Sequence, residues 1–141
     1  MGKNVIVSLQ TIIDDNGQME HHATTQQGAF TRKGQLDVLI FDEQIDKELP
    51  PVRNLMTIQK NKVNVKRTGS VNMNQQFVLG KNTENVYTHP HGSLHMQTYT
   101  RKIDYNLQSA GNGELTIEYS VKLNGQEERG HQLKLQFKEE N

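Results

Sequence analysis

The chain of 141 residues contains no cysteine, which excludes disulfides, thiolate metal sites and a thiol nucleophile. It also has no tryptophan and only three prolines. Lysine and arginine number 16, as do aspartate and glutamate, so the formal net charge is zero. Nucleic-acid binders usually carry a basic excess or a basic stripe, and the basic residues here are scattered. We therefore expect neither nucleic acid nor an anionic membrane as a partner.

Long hydrophobic runs are missing as well. The first ten residues lack the apolar stretch of about 7–15 residues that a signal peptide needs. No segment reaches the roughly 18 apolar residues of a membrane helix. We therefore expect a cytoplasmic protein. Hydrophobic residues make up 33 % of the chain, and asparagine and glutamine account for 27 residues. This composition is typical of a sheet with one apolar face and one solvated face.

What the chain does have is alternation of apolar and polar residues between turn signals. Between Glu114 and Leu123 every second residue is apolar, which predicts a strand with one buried face. Five dipeptides predict turns: Asn16-Gly17, Lys33-Gly34, Thr68-Gly69, Asn112-Gly113 and Asn124-Gly125. A two-residue period interrupted by Asn-Gly is the strongest short-range indication of a β-hairpin.

Sequential hairpins favour an antiparallel meander that closes into a β-barrel, because closure removes exposed edges. We predict one all-β domain over residues 1–141, with about ten strands and no helix. Ser93–Arg101 and Lys102–Gln108 are predicted as separate strands. The one long connection, residues 43–53, contains Pro50 and Pro51 and is either a lid or a plain solvated crossover. The run Val38–Phe41 is apolar on both faces, which predicts that something covers its outer side.

The segment from Arg67 to Gly80 (RTGSVNMNQQFVLG) resembles the central stretch of the YwiB-like family of small bacterial proteins. Matching residues follow at Tyr87, Gly92, Leu94, Thr98 and Thr100, so the specific similarity covers residues 67–100. The resemblance implies a calycin fold, the meander barrel of lipocalins and fatty-acid-binding proteins. The family has no established activity, so the resemblance implies no function. Without tryptophan the chain lacks the Gly-x-Trp signature of true lipocalins.

Arg67 is the residue most suggestive of a ligand. It shares the odd-numbered register of Val63, Val65 and Met73, which predicts an inward direction. A buried guanidinium requires a partner. Three alternatives stay open: Arg67 reaches an acid such as Glu20 or Asp37, it lies at the barrel mouth with its charge in water, or it binds an anionic ligand.

Histidines cluster only at His89, His91 and His95, where a surface turn and a three-nitrogen metal site are the alternatives. Pro90 and Gly92 bend the chain there, and no carboxylate is close in sequence, so we predict no metal site. Ser93 lies between two of these histidines but in no Gly-x-Ser-x-Gly motif. We predict no catalytic residues and no cofactor, and we favour a protein that is not an enzyme.

Three hypotheses follow for function. The first is a barrel that binds a small, partly apolar and anionic molecule in its lumen. The predicted ligand-binding residues are Arg67, Met73, Gln75, Phe77, Thr98, Tyr119 and Phe137. The second hypothesis is a filled barrel that forms a homodimer through an outer face such as Val38–Phe41. The third is a metal-dependent enzyme built on the histidine cluster.

Overall fold

The computed structural model describes residues 2–44 and 46–140, and no helix occurs among them. Ten strands follow one another along the chain: β1 Lys3–Asp15, β2 Gln18–Lys33, β3 Leu36–Glu43, β4 Val52–Ile58, β5 Lys62–Thr68, β6 Met73–Val78, β7 Asn82–His89, β8 Gly92–Ser109, β9 Asn112–Leu123 and β10 Arg129–Glu139. The predicted all-β meander of about ten strands is confirmed.

The strands form one antiparallel sheet in the order β6-β5-β4-β3-β2-β1-β10-β9-β8-β7. The two end strands, β6 and β7, approach each other and almost close the barrel. A bridge between Asn72 and Thr88 joins the β6 side to β7, and a second bridge joins Leu79 to Thr100 of β8. The hydroxyl of Thr83 also donates a hydrogen bond to the carbonyl oxygen of Gln76, 2.6 Å away. This seam is the weakest of the strand junctions because backbone pairing there is sparse.

Alternation along the strands decides which residues enter the lumen. In β9 the inward-facing Leu115, Ile117 and Tyr119 are at most 6 % exposed, as the sequence pattern predicts. Val121 of β9 and inward-facing residues of the other strands supply the rest of the core in the same way: Val5, Val7, Phe30, Leu39, Phe41, Met56, Ile58, Val63, Val65, Met73, Phe77, Met96, Leu135 and Phe137.

One end of the barrel is filled by side chains. Phe30 and Phe137 stack there with their ring centroids 5.3 Å apart. Beside them Asp37, which is 3 % exposed, accepts two hydrogen bonds from the Arg32 guanidinium at 2.7 and 3.0 Å. The hydroxyl of Tyr105 on the opposite wall donates a third, at 2.7 Å. This carboxylate therefore ties β3 to β8 across the lumen at the filled end.

Two predictions about turns and strands are wrong. The β8–β9 turn is formed by Ala110 and Gly111, while Gly113 lies inside β9. A Cβ atom on Gly113 would come within 2.7 Å of the Phe137 ring, so this glycine makes room for an aromatic side chain. Ser93–Arg101 and Lys102–Gln108 form the single strand β8. An irregularity in its pairing with β9 leaves Arg101 as a bulged residue.

The 43–53 connection runs over the surface. Strand β3 extends to Glu43, and the described residues of 44–51 are all exposed. No described part of the same chain covers the outer side of β3, where Ile40 is 36 % exposed, so the predicted cover stays a prediction that only a second copy could fulfil. Within the part of the chain that the structure describes, no helix is long and apolar enough to span a membrane.

Candidate functional site: a cavity at the open end of the barrel

The end of the barrel opposite the Phe30–Phe137 stack contains a cavity of about 450 Å³. It lies where β1, β3, β5, β7 and β9 end and the even-numbered strands β4, β6, β8 and β10 begin. Most of its wall is apolar and comes from inward-facing residues of eight strands: Leu9, Ile13, Phe41, Met56, Val65, Met73, Phe77, Met96, Val121, Leu123 and Leu133. The lumen is therefore hollow at one end and filled at the other.

A polar cluster interrupts this wall on the side formed by β3, β4 and β5. Arg67 of β5 lies opposite Asn54 of β4, and Asn54 in turn lies opposite Phe41 of β3. Glu43 follows Phe41 by two residues and therefore faces the same way. The Asn54 amide donates a hydrogen bond to Glu43 Oε1 at 2.8 Å, and the Arg67 guanidinium donates to the same oxygen at 3.4 Å. Arg67 thus points inward, as predicted, and its acidic partner is Glu43.

The contacts leave part of the Arg67 guanidinium unused. Its side chain is only 19 % exposed, and its Nε atom is buried without a hydrogen-bond partner among the described residues. The 3.4 Å contact with Glu43 is long for a charged pair, since such bonds usually measure about 2.7–2.9 Å. A buried N–H donor without a partner is unfavourable. Arg67 lines the cavity, so the exposed part of its guanidinium can donate to an acceptor that enters, whereas the buried Nε would meet that acceptor only if the side chain turned.

The wall formed by β6 and β8 carries a second polar contact. Gln75, which is 7 % exposed, lines the cavity and donates a hydrogen bond from Nε2 to the Thr98 hydroxyl at 2.9 Å. Thr98 is fully buried behind it and does not line the cavity. Thr98 thereby fixes the orientation of the Gln75 amide.

Aromatic side chains form the third wall. The Tyr119 ring meets Phe77 edge-on at 4.7 Å and stacks on His131 at 5.1 Å. Burial raises the pKa of the Tyr119 hydroxyl, and the nearby charge of Arg67 offsets only part of this effect. Burial, together with the charge of Arg129, lowers the pKa of His131 to about 4. Both side chains are therefore neutral at pH 7, and this wall presents uncharged polar groups.

Five of the predicted ligand-binding residues line the cavity: Arg67, Met73, Gln75, Phe77 and Tyr119. Thr98 lies one contact behind them. The placement of Phe137 beside the cavity is wrong, because Phe137 packs on Phe30 at the filled end. It follows His131 by six residues along β10, a rise of roughly 20 Å, so the two side chains lie at opposite ends of the lumen.

The predicted ligand-binding residues do not include Glu43, Asn54 and His131, which also line the cavity. Glu43 continues the inward register of Leu39 and Phe41, although the sequence predicts it as the first residue of the 43–53 connection. Asn54 and Met56 are two residues apart in β4, so both lie on its buried, inward face. Extending the period-two pattern to the strand ends identifies both residues. Their pairing with Arg67 follows from the register between strands, which a single strand does not reveal.

The histidine cluster does not converge on a metal site. The rings of His89 and His91 lie 6.1 Å apart on either side of Pro90. His95 lies on the outer face of β8, where its ring is 3.6 Å from Glu84. Across residues 2–44 and 46–140, no three histidine, aspartate or glutamate side chains are grouped closely enough to hold a metal ion.

Comparison with known proteins places this barrel in a family. The family model described as a domain of unknown function, DUF1934, matches residues 7–135. The chain belongs to the DUF1934 family. The uncharacterised β-barrel protein YwiB of Bacillus subtilis (strain 168) is 26 % identical over 133 residues, which cover 94 % of this chain and 92 % of YwiB.

Among solved structures, the crystal structure of the ywiB protein from Bacillus subtilis has a similar fold. It superimposes with a TM-score of 0.88 at 24 % sequence identity, over 99 % of this chain and 94 % of the other. This similarity extends the barrel across nearly the whole chain. The predicted YwiB-like family is thereby confirmed, and the family carries no assigned function.

Proposed function

We propose that this DUF1934 barrel binds one small amphipathic anion in the open end of its lumen, without converting it chemically. The observation that carries the proposal is the Arg67 guanidinium, which lies in a largely apolar cavity with its Nε atom unpartnered. A carboxylate, sulfonate or phosphate monoester on the ligand would accept a charge-assisted hydrogen bond from this group.

The size and lining of the cavity support the proposal. Small-molecule sites usually measure about 300–1,000 Å³ and combine apolar walls with a few directed polar groups. A volume of about 450 Å³ falls in this range. Met56, Met73 and Met96 contribute flexible thioether side chains, which adapt to ligands of different shape. The calycin-like architecture implied by the family resemblance is consistent with a lumenal ligand.

Glu43 determines which ligand charge fits. It accepts a short hydrogen bond from Asn54 and a long one from Arg67, so it stays anchored when Arg67 turns toward a ligand. Its negative charge also disfavours a second anionic group nearby. We therefore expect the site to prefer ligands with a single anionic group at one end of an apolar body.

The test compares decanoate with decanol, which share a tail and differ in charge, by isothermal titration of protein freed of bound lipid. Arg67→Met should weaken decanoate binding by about tenfold to a hundredfold, because it removes a charged hydrogen bond of about 1.5–3 kcal/mol. Decanol binding should change little, since methionine keeps the apolar volume.

Arg53→Met is the matched control. Arg53 lies on the outer face of the neighbouring strand β4, where it donates to Asp42 at 2.9 and 3.2 Å. This variant should bind decanoate like the unmodified protein. Equal decanoate affinity in the Arg67→Met variant and the unmodified protein would remove the anionic group from the proposal, and saturation of neither probe would refute lumenal binding.

A further inference from the structure

The first ten residues of β2 form a strand edge that no described residue covers. β2 pairs with β1 from Gln18 to Phe30, but it pairs with β3 only from Gly28 to Lys33. Residues 18–27 therefore have a backbone neighbour on one side only, and all of them except Gln26 are exposed. They extend past the end of β3 as part of a long hairpin at the open end of the barrel.

Gly28 is the first residue of β2 that pairs with β3, which ends two residues after Phe41. A Cβ atom on Gly28 would lie 2.7 Å from the Ile40 carbonyl oxygen and 3.1 Å from the Phe41 Cβ atom. The strands therefore approach unusually closely at this residue, and β3 then continues beside β4 up to the pair Glu43–Val52. The free part of β2 begins directly beyond this close approach.

The turns at both ends of β2 determine which backbone groups face the free edge. Two-residue turns connect Asp15 to Gln18 and Lys33 to Leu36, and the residues flanking such a turn form a hydrogen-bonded pair. Hydrogen-bonded and non-hydrogen-bonded pairs alternate in an antiparallel ladder. Even-numbered residues of β2 therefore bond to β1. The odd-numbered residues between Met19 and Gln27 direct their N–H and C=O groups outward.

Apart from the charge of Glu20, this edge lacks the features that usually protect a strand from pairing. Residues 18–27 contain no lysine, arginine or proline, and their register with β1 is free of bulges. The second half of β8, Lys102–Ser109, which is also unpaired on one side, differs in its charge and its pairing. It carries Lys102 and Asp104, has pairing irregularities at both ends, and is tied to β3 by Tyr105. The β2 edge is thus open to another strand.

We propose that a second copy of this chain pairs with this edge, antiparallel and about a two-fold axis at His21. In this register Glu20 of each copy, which lies 3.8 Å from His22 of its own chain, also faces His22 of the other copy, so a carboxylate meets an imidazole across the edge twice. On the opposite face Met19, 54 % exposed in the single chain, meets Ala23. Because both partners use the same patch, the contact closes as a dimer.

The same register avoids a collision with β3. Residues 18–24 of the two copies overlap, and each Asn16-Gly17 turn ends before it reaches Gly28 of the other copy. The pairs His21–His21 and Met19–Ala23 supply about six backbone hydrogen bonds. In a register that uses more of the edge, the Asn16-Gly17 turn of one copy would reach Gly28 of the other copy. That place is already occupied by Phe41, which pairs with Gly28.

Sedimentation velocity over a concentration series tests the interface. We expect the unmodified chain to sediment as a dimer and Ala23→Pro to raise the dissociation constant at least about tenfold. Proline removes an N–H that each copy donates across the edge, and this N–H has no partner in β1. Ala110→Pro is the matched control: Ala110 precedes Gly111, whose φ is 89°, in the turn at the filled end. It should dimerise normally.

Single cysteines test the register, since the chain has none of its own. His21→Cys places two thiols across the axis, where Cα atoms about 5.5 Å apart permit a disulfide. In Ala23→Cys the thiols lie roughly 13 Å apart, beyond disulfide reach. Mild oxidation should crosslink only the first variant. A monomer at every concentration, or crosslinking of Ala23→Cys as fast as His21→Cys, would overturn the proposal, and neither result bears on decanoate binding.

Discussion

Asp37 shows how one buried carboxylate organises the filled end of the barrel. Burial disfavours its charged form, but hydrogen bonds from Arg32 and Tyr105 and the positive charge of Arg32 outweigh burial and lower the pKa of Asp37. Burial and the hydrogen bond to Asp37 in turn raise the pKa of the Tyr105 hydroxyl. Asp37 is therefore ionised and Tyr105 is a donor at neutral pH.

We predict that Asp37→Asn lowers the free energy of unfolding by about 1.5–3 kcal/mol at pH 7, because charge-assisted hydrogen bonds are lost. The folded pKa lies below the unfolded value of about 3.9, so this stabilisation is present above that pH and disappears as the pH falls through the folded pKa. Urea unfolding at several pH values measures it. Asp42→Asn, which alters the exposed pair with Arg53, should cost less than about 1 kcal/mol. Equal losses in the two variants would contradict this account.

His131 provides the opposite case, a titratable group kept neutral. Its pKa of about 4 lies below the unfolded value of about 6.5. Above pH 6.5 the imidazole is neutral in both states, and as the pH falls from about 6.5 to 4 only the unfolded state binds the proton, so stability is lost across this range. His131→Phe retains the stacking on Tyr119 and should abolish that part of the pH dependence of unfolding. His91→Phe in the exposed turn between β7 and β8 is the control, and an unchanged pH profile for His131→Phe would refute the assignment.

At the scale of the strand, alternation predicts which side chains enter the barrel. The pattern of β5 and β6 places Arg67, Met73, Gln75 and Phe77 inside, and the structure confirms that direction. Alternation does not predict at which height along the barrel axis an inward-facing side chain lies. Phe137 and Tyr119 both face inward, but they lie at different ends because the stagger between β9 and β10 sets their height. The Glu43–Asn54–Arg67 cluster likewise depends on the registers of three strands.

Gly28 allows a test at this scale. We predict that Gly28→Ala destabilises the protein by roughly 1–3 kcal/mol, since the new methyl group would press on the backbone of β3. Gly130→Ala is the matched control in β10, where a Cβ atom would have only an ordinary contact with Asp14 at 3.9 Å. It should be neutral or slightly stabilising. Thermal unfolding of both variants decides the matter, and two equal melting temperatures would count against the close approach at Gly28.

At the scale of the whole molecule, the barrel combines a rigid filled end with an open end that has a sparse seam. β1 is paired along most of its length on both sides, with β2 and β10, whereas β6 and β7 share few backbone bonds. Met73 and Gln75 of β6 and Tyr87 of β7 line the cavity beside this seam. Local opening of the seam would give a ligand access to the cavity without unfolding the filled end.

Hydrogen exchange followed by mass spectrometry should therefore show β6 and β7 exchanging before β1 and β10. Saturating decanoate should slow exchange in β6 and β7 more than elsewhere, because a ligand in the cavity bridges the seam. The filled end, with Phe30 and Phe137, serves as the internal reference. Exchange that begins in β1 or β10 would contradict the assignment of the seam as the weakest junction.

The most direct test of the central claim, a hollow end that binds an anion, is the location of bound decanoate by nuclear Overhauser effects in methyl-labelled protein. We predict contacts from the decanoate tail to the methyl groups of Leu9, Val121 and Leu133, which line the cavity. Leu39 and Leu115 at the filled end should show none. Contacts confined to Ile40 on the outer face, or no contacts at saturating decanoate, would contradict it.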